Sequence, residues 1–319
     1  MSTVTIARAG NIAIVTVDNP PVNALSQAVR QGLWDAVATL DAEAEVTAVV
    51  LHCAGRTFIA GADVREFGKV PEPPHLPDLV ARIEGAAKPW VAAIHGAALG
   101  GGLEVALGCR FRVAGTGASL GLPEVNLGII PGASGTVRTP RLTGLPAAVA
   151  LVTSGKPVRA EKALTLGLID AVIEGDLLEG AIAFAEKALA KPLPQPVSAR
   201  VITPEDDAFW DGQRVAVTKA AKGNNARCAR WTRSALHPRT TLQRPWHSSA
   251  KPSSRCAARI RRRLCGQYSL PNAPRPVPHI WGCQTRRHPL GRGDRRRHDG
   301  RRHCRGFARC GPAGCADRA

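Results

Sequence analysis

Alternation and apolar runs divide the first 225 residues into short strands and amphipathic helices. Residues 4–7 and 12–16 alternate with period two on either side of Gly10-Asn11, so they read as paired strands joined by a turn. Asn19-Pro20-Pro21 breaks the chain. Ser26 then stands where a helix cap belongs. Beyond it Val29, Leu33, Val37 and Leu40 share one helical face through about Ala42. The run at 47–52 (TAVVLH) and the run at 90–94 (WVAAI) are apolar on both faces, as buried strands are. Between them, 71–77 reads as a proline-rich loop and 79–87 as a helix. A short apolar helix is expected at 103–107 and a strand at 111–114. Further helices are expected at about 135–142, 146–153, 160–166 and 177–191. Strands alternating with helices predict an α/β domain whose sheet is covered.

Composition then separates these residues from the C-terminal segment. Residues 1–225 hold 20 Lys+Arg against 22 Asp+Glu, whereas 226–319 hold 23 Lys+Arg against 3 Asp. The formal net charge of +18 therefore resides wholly in the last 94 residues, and the chain as a whole is not a nucleic-acid binder. That tail has 22 Arg but a single Lys, Lys251, with seven of the nine cysteines and recurrent proline. Arg261–Arg263 and Arg295–Arg297 would attract phosphates non-specifically. A zinc module is disfavoured, because Cys304, Cys310 and Cys315 form no C-x2-C pair. Arg, Pro, Ala, Gly, Cys and His without Lys or Glu is what a GC-rich gene yields out of frame. The composition favours that origin, with a shift near Asn225, and predicts disorder. There is no apolar run of the about 18 residues that a membrane helix needs, and MSTVTIARAG lacks a signal-peptide pattern. Cys53 and Cys109 read as core thiols in a reducing compartment, which predicts a cytoplasmic protein. His95 reads as a structural histidine.

Three stretches carry candidate chemistry. They are Phe58-Ile59-Ala60-Gly61-Ala62-Asp63, the run GAALGGGLE from Gly96 to Glu104, and LPEVNLGIIPG from Leu122 to Gly132. Gly100, Gly101 and Gly102 precede a helix. Glycines let backbone come close to a ligand, and a helix start leaves N–H donors unpaired for developing negative charge. No G-x-x-x-x-G-K-[ST] is present, and no G-x-G-x-x-G comes after a strand, so an oxyanion is favoured over a nucleotide phosphate. Glu104 sits among Leu103, Val105, Ala106 and Leu107, where a carboxylate must be paired or poised for proton transfer; complementing the helix dipole is the plainer alternative. Glu124 by itself reads as a solvated loop residue. Two acids beside one oxyanion hole suggest acid and base work on a carbonyl compound.

These stretches resemble the crotonase superfamily. The resemblance is to enoyl-CoA hydratases, and in particular to the hydratase/isomerase half of bifunctional fatty-acid oxidation enzymes that also carry a 3-hydroxyacyl-CoA dehydrogenase. It covers about residues 2–222 and rests on the joint pattern AGAD…GAALGGGLE…LPEVNLGIIPG, with Glu104 and Glu124 twenty positions apart. It implies a crotonase-like α/β spiral of ββα units at 1–195, a shortened helical or linker segment at 196–225, and a disordered basic tail at 226–319. Ala62 and Gly101 would form the oxyanion hole; Glu104 would activate water and Glu124 would protonate the α-carbon. Ala60, Asp63, Val64, Gly100, Pro131 and Gly132 would line the substrate path. The implied reaction is syn hydration of trans-2-enoyl-CoA to 3-hydroxyacyl-CoA in fatty-acid β-oxidation, with Δ3–Δ2 isomerase capability. No metal or separate cofactor is implied, because the thioester is the electron sink. No dehydrogenase activity is expected. The implied partner is the acyl-CoA substrate. Relatives assemble as trimers, hexamers or fused single chains; a homo-oligomer is the implied assembly, and the altered C-terminus puts it in doubt. The alternative reading is an inactive or weakly active acyl-CoA-binding remnant of a truncated bifunctional enzyme.

Overall fold

The computed structural model describes residues 2–220. Strands β1 (Val4–Ala9) and β2 (Ile12–Val17) pair antiparallel, Val4 opposite Val17 and Ala9 opposite Ile12. Gly10 supplies the positive φ, +57°, that the connecting turn requires. Helix α1 (Gln27–Ala42) begins as expected, with the Ser26 side chain accepting from the Val29 N–H at 3.4 Å. Strand β3 (Ala48–Cys53) runs parallel to β2. Helix α2 (Leu76–Glu84) starts inside the segment expected to be a loop, because Pro77 falls in its first turn, where no N–H is needed. It stops at Gly85 rather than at Ala87.

From there the chain repeats one unit. Strand β4 (Trp90–Ile94), strand β5 (Ala97–Leu99) and helix α3 (Gly101–Gly108) are succeeded by β6 (Phe111–Gly115), β7 (Ser119–Gly121) and α4 (Gly135–Ser154). The first strand of each unit joins the large sheet and the second joins a small one. Adding β8 (Val158–Arg159), α5 (Ala160–Thr165), β9 (Ala171–Ile173) and α6 (Leu177–Leu189), the large sheet runs β1-β2-β3-β4-β6-β9. The small one runs β5-β7-β8. The expected spiral of ββα units is present; the short strands β5, β7, β8 and β9 are additions to the sequence reading. Helix α4 spans both helices expected there, and its backbone breaks at Gly144 (φ 74°, ψ 163°) ahead of Pro146.

Alternate residues of the central strands serve two cores. Val49, Leu51, Ala92 and Ile94 face α1, α2 and α3 through Leu33, Leu79 and Leu107. Ala48, Val50, Val91, Ala93 and Val113 face α6 through Ala181 and Ala185. Two-sided burial is why these strands are apolar throughout. Arg112 on β6 is fully buried and ties the far strands together: it donates to the Leu168 and Cys109 carbonyls and pairs with Asp170 at 2.9 Å.

Residues 196–220 pack on the domain. Ile202 and Trp210, the latter on α7 (Asp207–Ala220), cover Leu145, Ala148 and Val149 of α4. The basic tail expected at 226–319, with its proposed origin and disorder, lies outside the described residues. Among the described residues no helix is long and apolar enough to cross a membrane.

Some glycines are fixed by contact. A Cβ on Gly102 would stand 2.1 Å from the Ile59 carbonyl oxygen, whereas one on Gly115 would meet nothing within 4 Å. Gly102→Ala is therefore expected to destabilise the chain by about 2–3 kcal/mol or more, and Gly115→Ala to change stability by less than about 1 kcal/mol. Denaturant unfolding of the full chain, comparing transition midpoints, checks both.

Candidate active site

Two isolated bridges, Ile59 to Ala98 and Leu25 to Ala62, hold the segment 59–63 between the small sheet and the start of α1. Within it the Gly61 carbonyl accepts the Leu25 N–H at 2.9 Å, and the Ala60 N–H donates to Val22 at 3.1 Å. Gly61 adopts φ +118°, open to glycine, and passes close to the Leu99 carbonyl. Arg30 secures the chain just beyond this segment. Its buried guanidinium donates to the Leu25, Glu72 and Pro74 carbonyls and to the Glu66 carboxylate. The Ala62 nitrogen lies 3.7 Å from where a Gly101 Cβ would sit, so the two expected donors are neighbours. Gly101 is the first residue of α3, and neither amide has a protein acceptor among the described residues.

The three glycines divide their tasks. Gly100 (φ 53°, ψ −126°) turns the chain out of β5 and lies against Glu124, whose Oε1 would be 3.2 Å from a Cβ there. Gly101 admits the Leu25 and Leu76 side chains. Gly102 is filled by Ile59 backbone. Close approach at the third glycine is thus to the chain itself, which corrects the expectation that all three face a ligand.

Glu104 is 2% exposed, one turn into α3. Its Oε1 accepts the Ala133 and Gly135 N–H groups, both at 2.8 Å, leaving Oε2 with no protein donor among the described residues. Burial pushes its pKa up to about 7 against the pull of those two amides and of Arg138. Glu124 sits in a single 3-10 turn, Pro123–Leu127, and is 8% exposed. The expectation of a solvated side chain, made for it in isolation, is corrected. Its Oε2 is buried with no partner among the described residues, and burial, then the charge of Glu104, raises its pKa to about 8. The two acids titrate as a coupled pair, and the one that receives two amide donors, Glu104, is the more readily ionised.

The remaining expected residues fall around this pair. Ala60 and Val64 are half-buried and Ala62 is exposed along the same segment. Asp63 is buried, but its carboxylate is taken up by the Arg65 backbone N–H and guanidinium, which hold its pKa below the usual range. It shapes the loop rather than offering a free charge. Pro131 is buried beside Gly135, and exposed Gly132 precedes the Ala133 amide that Glu104 uses. His95 Nε2 meets the Gly55 carbonyl at 3.1 Å and its ring stacks on His52, while Nδ1 is buried with no partner among the described residues. Four buried charges, Arg30, Glu84, Arg112 and Arg138, escape the sequence reading. The last stands between Val137 and Thr139 with no local signal, and its partner is 54 positions away.

Comparison with known proteins fits this geometry. The family model for enoyl-CoA hydratase/isomerase matches residues 7–207. A peroxisomal bifunctional enzyme of Danio rerio is 45% identical over 234 residues, covering 72% of this chain and 32% of that protein. A probable enoyl-CoA hydratase of Bacillus subtilis (strain 168) is 42% identical over 62% of this chain and 80% of its own length. The chain thus spans about a third of the bifunctional relative. Among solved structures, an enoyl-CoA hydratase from Bacillus anthracis superposes with TM-score 0.56 at 29% identity, covering 73% of this chain and 89% of that one. A carnitinyl-CoA dehydratase from Mycobacterium avium 104 gives 0.57 at 30%, covering 71% and 95%.

Raised carboxyl pKa values mean that the folded chain holds these protons more tightly than the unfolded one. Their burial thus costs least at acid pH, and the cost grows as pH climbs from the ordinary carboxyl range through the folded values. Glu124→Gln is expected to raise the melting temperature by roughly 5 °C near pH 8 and by little near pH 5. Thermal unfolding monitored by circular dichroism at both pH values checks this; an equal change at the two would refute it.

Proposed function

The chain belongs to the enoyl-CoA hydratase/isomerase family, and on that premise we propose that it adds water syn across trans-2-enoyl-CoA to give 3-hydroxyacyl-CoA in fatty-acid β-oxidation. The observation that carries the reading is the pair of buried carboxyls with raised proton affinity beside two uncommitted amides. The Ala62 and Gly101 N–H groups would hold the thioester oxygen as it gains negative charge, worth about 3–4 kcal/mol per donor in comparable sites. Glu104, ionised, takes a proton from water through Oε2 as the oxygen bonds to C3. Glu124, protonated, delivers its proton to C2 as the enolate collapses. The roles are set by which acid ionises first. With the thioester accepting the electron pair, the reaction calls for no resident cofactor. If Glu124 alone both removes and returns the proton, a double bond moves between positions 3 and 2, which is the isomerase capability of this reading.

The proposal includes a cytoplasmic setting, supported by Cys53 and Cys109, which are buried and unbridged. Peroxisomal and glyoxysomal are terms in the names of relatives.

Loss of the conjugated thioester absorbance of crotonyl-CoA is the assay. Glu104→Gln and Glu124→Gln are each expected to lower kcat by about two to four decades. The kcat/KM profile should be a bell, needing Glu104 ionised and Glu124 protonated, with limbs near the raised values of the pair and a maximum between about pH 7 and 8. Crotonyl-CoA binding without turnover would favour the acyl-CoA-binding remnant instead.

A further inference from the structure

Arg138 is a deeply buried charge on the helix that also carries the Gly135 amide bound by Glu104. It is 1% exposed, in the first turn of α4. Its Nε and Nη2 grip both oxygens of Glu84 on α2, at 3.1 and 2.7 Å. Glu84 Oε1 also accepts the Ser198 N–H at 2.9 Å. Nη1, in contrast, is buried with no partner among the described residues. One turn earlier on the same helix face is Gly135, whose N–H binds Glu104 and whose Cα lies against the Glu104 side chain. Helical side chains lean toward the N-terminus, so Arg138 leans toward this contact.

We propose that Arg138 is a positioning residue for Glu104: Glu84 orients its guanidinium, and its uncommitted nitrogen and charge keep the Glu104 carboxylate ionised. This rests on the assignment of Glu104 as the base. The direction agrees with the electrostatics, in which Arg138 opposes the upward push of burial on Glu104. The charged groups around Glu104 are Glu124 from the 3-10 turn and Arg138 from α4. Behind Arg138 stand Glu84 from α2 and Arg141, whose own pKa is lowered by burial and then by Arg138. A structural tie between α2 and α4 would need only the Glu84 contacts, which leave Nη1 unexplained.

Removing Arg138 alone strands Glu84 as a buried charge and threatens folding. The double variant Glu84→Gln, Arg138→Met avoids that. In the full chain it is expected to move the acid limb of kcat/KM up by about one pH unit, so that activity falls about ninefold at pH 6 but only about twofold at pH 8. Arg138→Lys, which keeps the charge, should restore most of the parent profile. Direct titration of the Glu104 carboxyl, assigned by difference from Glu104→Gln in carbon NMR spectra of glutamate-labelled protein, should move by the same amount. A folded double variant with an unmoved acid limb and an unmoved titration overturns the proposal. If the parent chain itself lacks hydratase activity, the base assignment fails separately, and the titration still reports whether Arg138 acts on Glu104.

Discussion

Two carboxyls are kept from water within range of each other's charge, and the rest of the site is arranged around that cost. An isolated buried carboxylate is expensive enough that it takes up a proton instead. Here the expense is graded. Glu104 receives two amide donors and a nearby arginine, whereas the buried Glu124 oxygen receives none. That inequality is what the proposed division into a base, Glu104, and a proton donor, Glu124, rests on. Both have to be brought out of solvent by parts of the chain distant from them in sequence, which is why the sheets and the helix starts must be in place first.

Where chemistry is local, the sequence can be read. Ser26 ahead of a 3.6-residue stripe marks the start of α1, and apolar runs on both strand faces mark β3 and β4. The Gly100–Gly102 run and Glu104 point to a functional helix start without any knowledge of the fold. What cannot be read depends on assembly. Strands β5, β7 and β8 have only two or three residues each, too few for alternation to register. Glu124 comes after a proline in a polar-looking turn, and only the packing of Gly100 and α4 around that turn makes it a buried acid. The Glu84–Arg138 pair joins helices 54 positions apart, beyond any local pattern.

The glycines teach a related lesson. A run of three invites one explanation, yet each has a different neighbour: a carboxylate, two leucine side chains, and the Ile59 backbone. Space for a ligand and space for the chain are set by adjacent positions. The uncommitted donors at Ala62 and Gly101 exist because Gly102 lets α3 seat directly on the segment that carries Ala62.

The clamp on Glu104 has a geometric corollary. A carboxyl held through one oxygen by two amides cannot rotate about its terminal bond without releasing both. Its other oxygen keeps a fixed bearing relative to the oxyanion donors. Under the proposed hydration, a water held at that oxygen would meet the alkene from one face, and the handedness of the product would then be set in part by the Ala133 and Gly135 main chain that fixes the carboxyl.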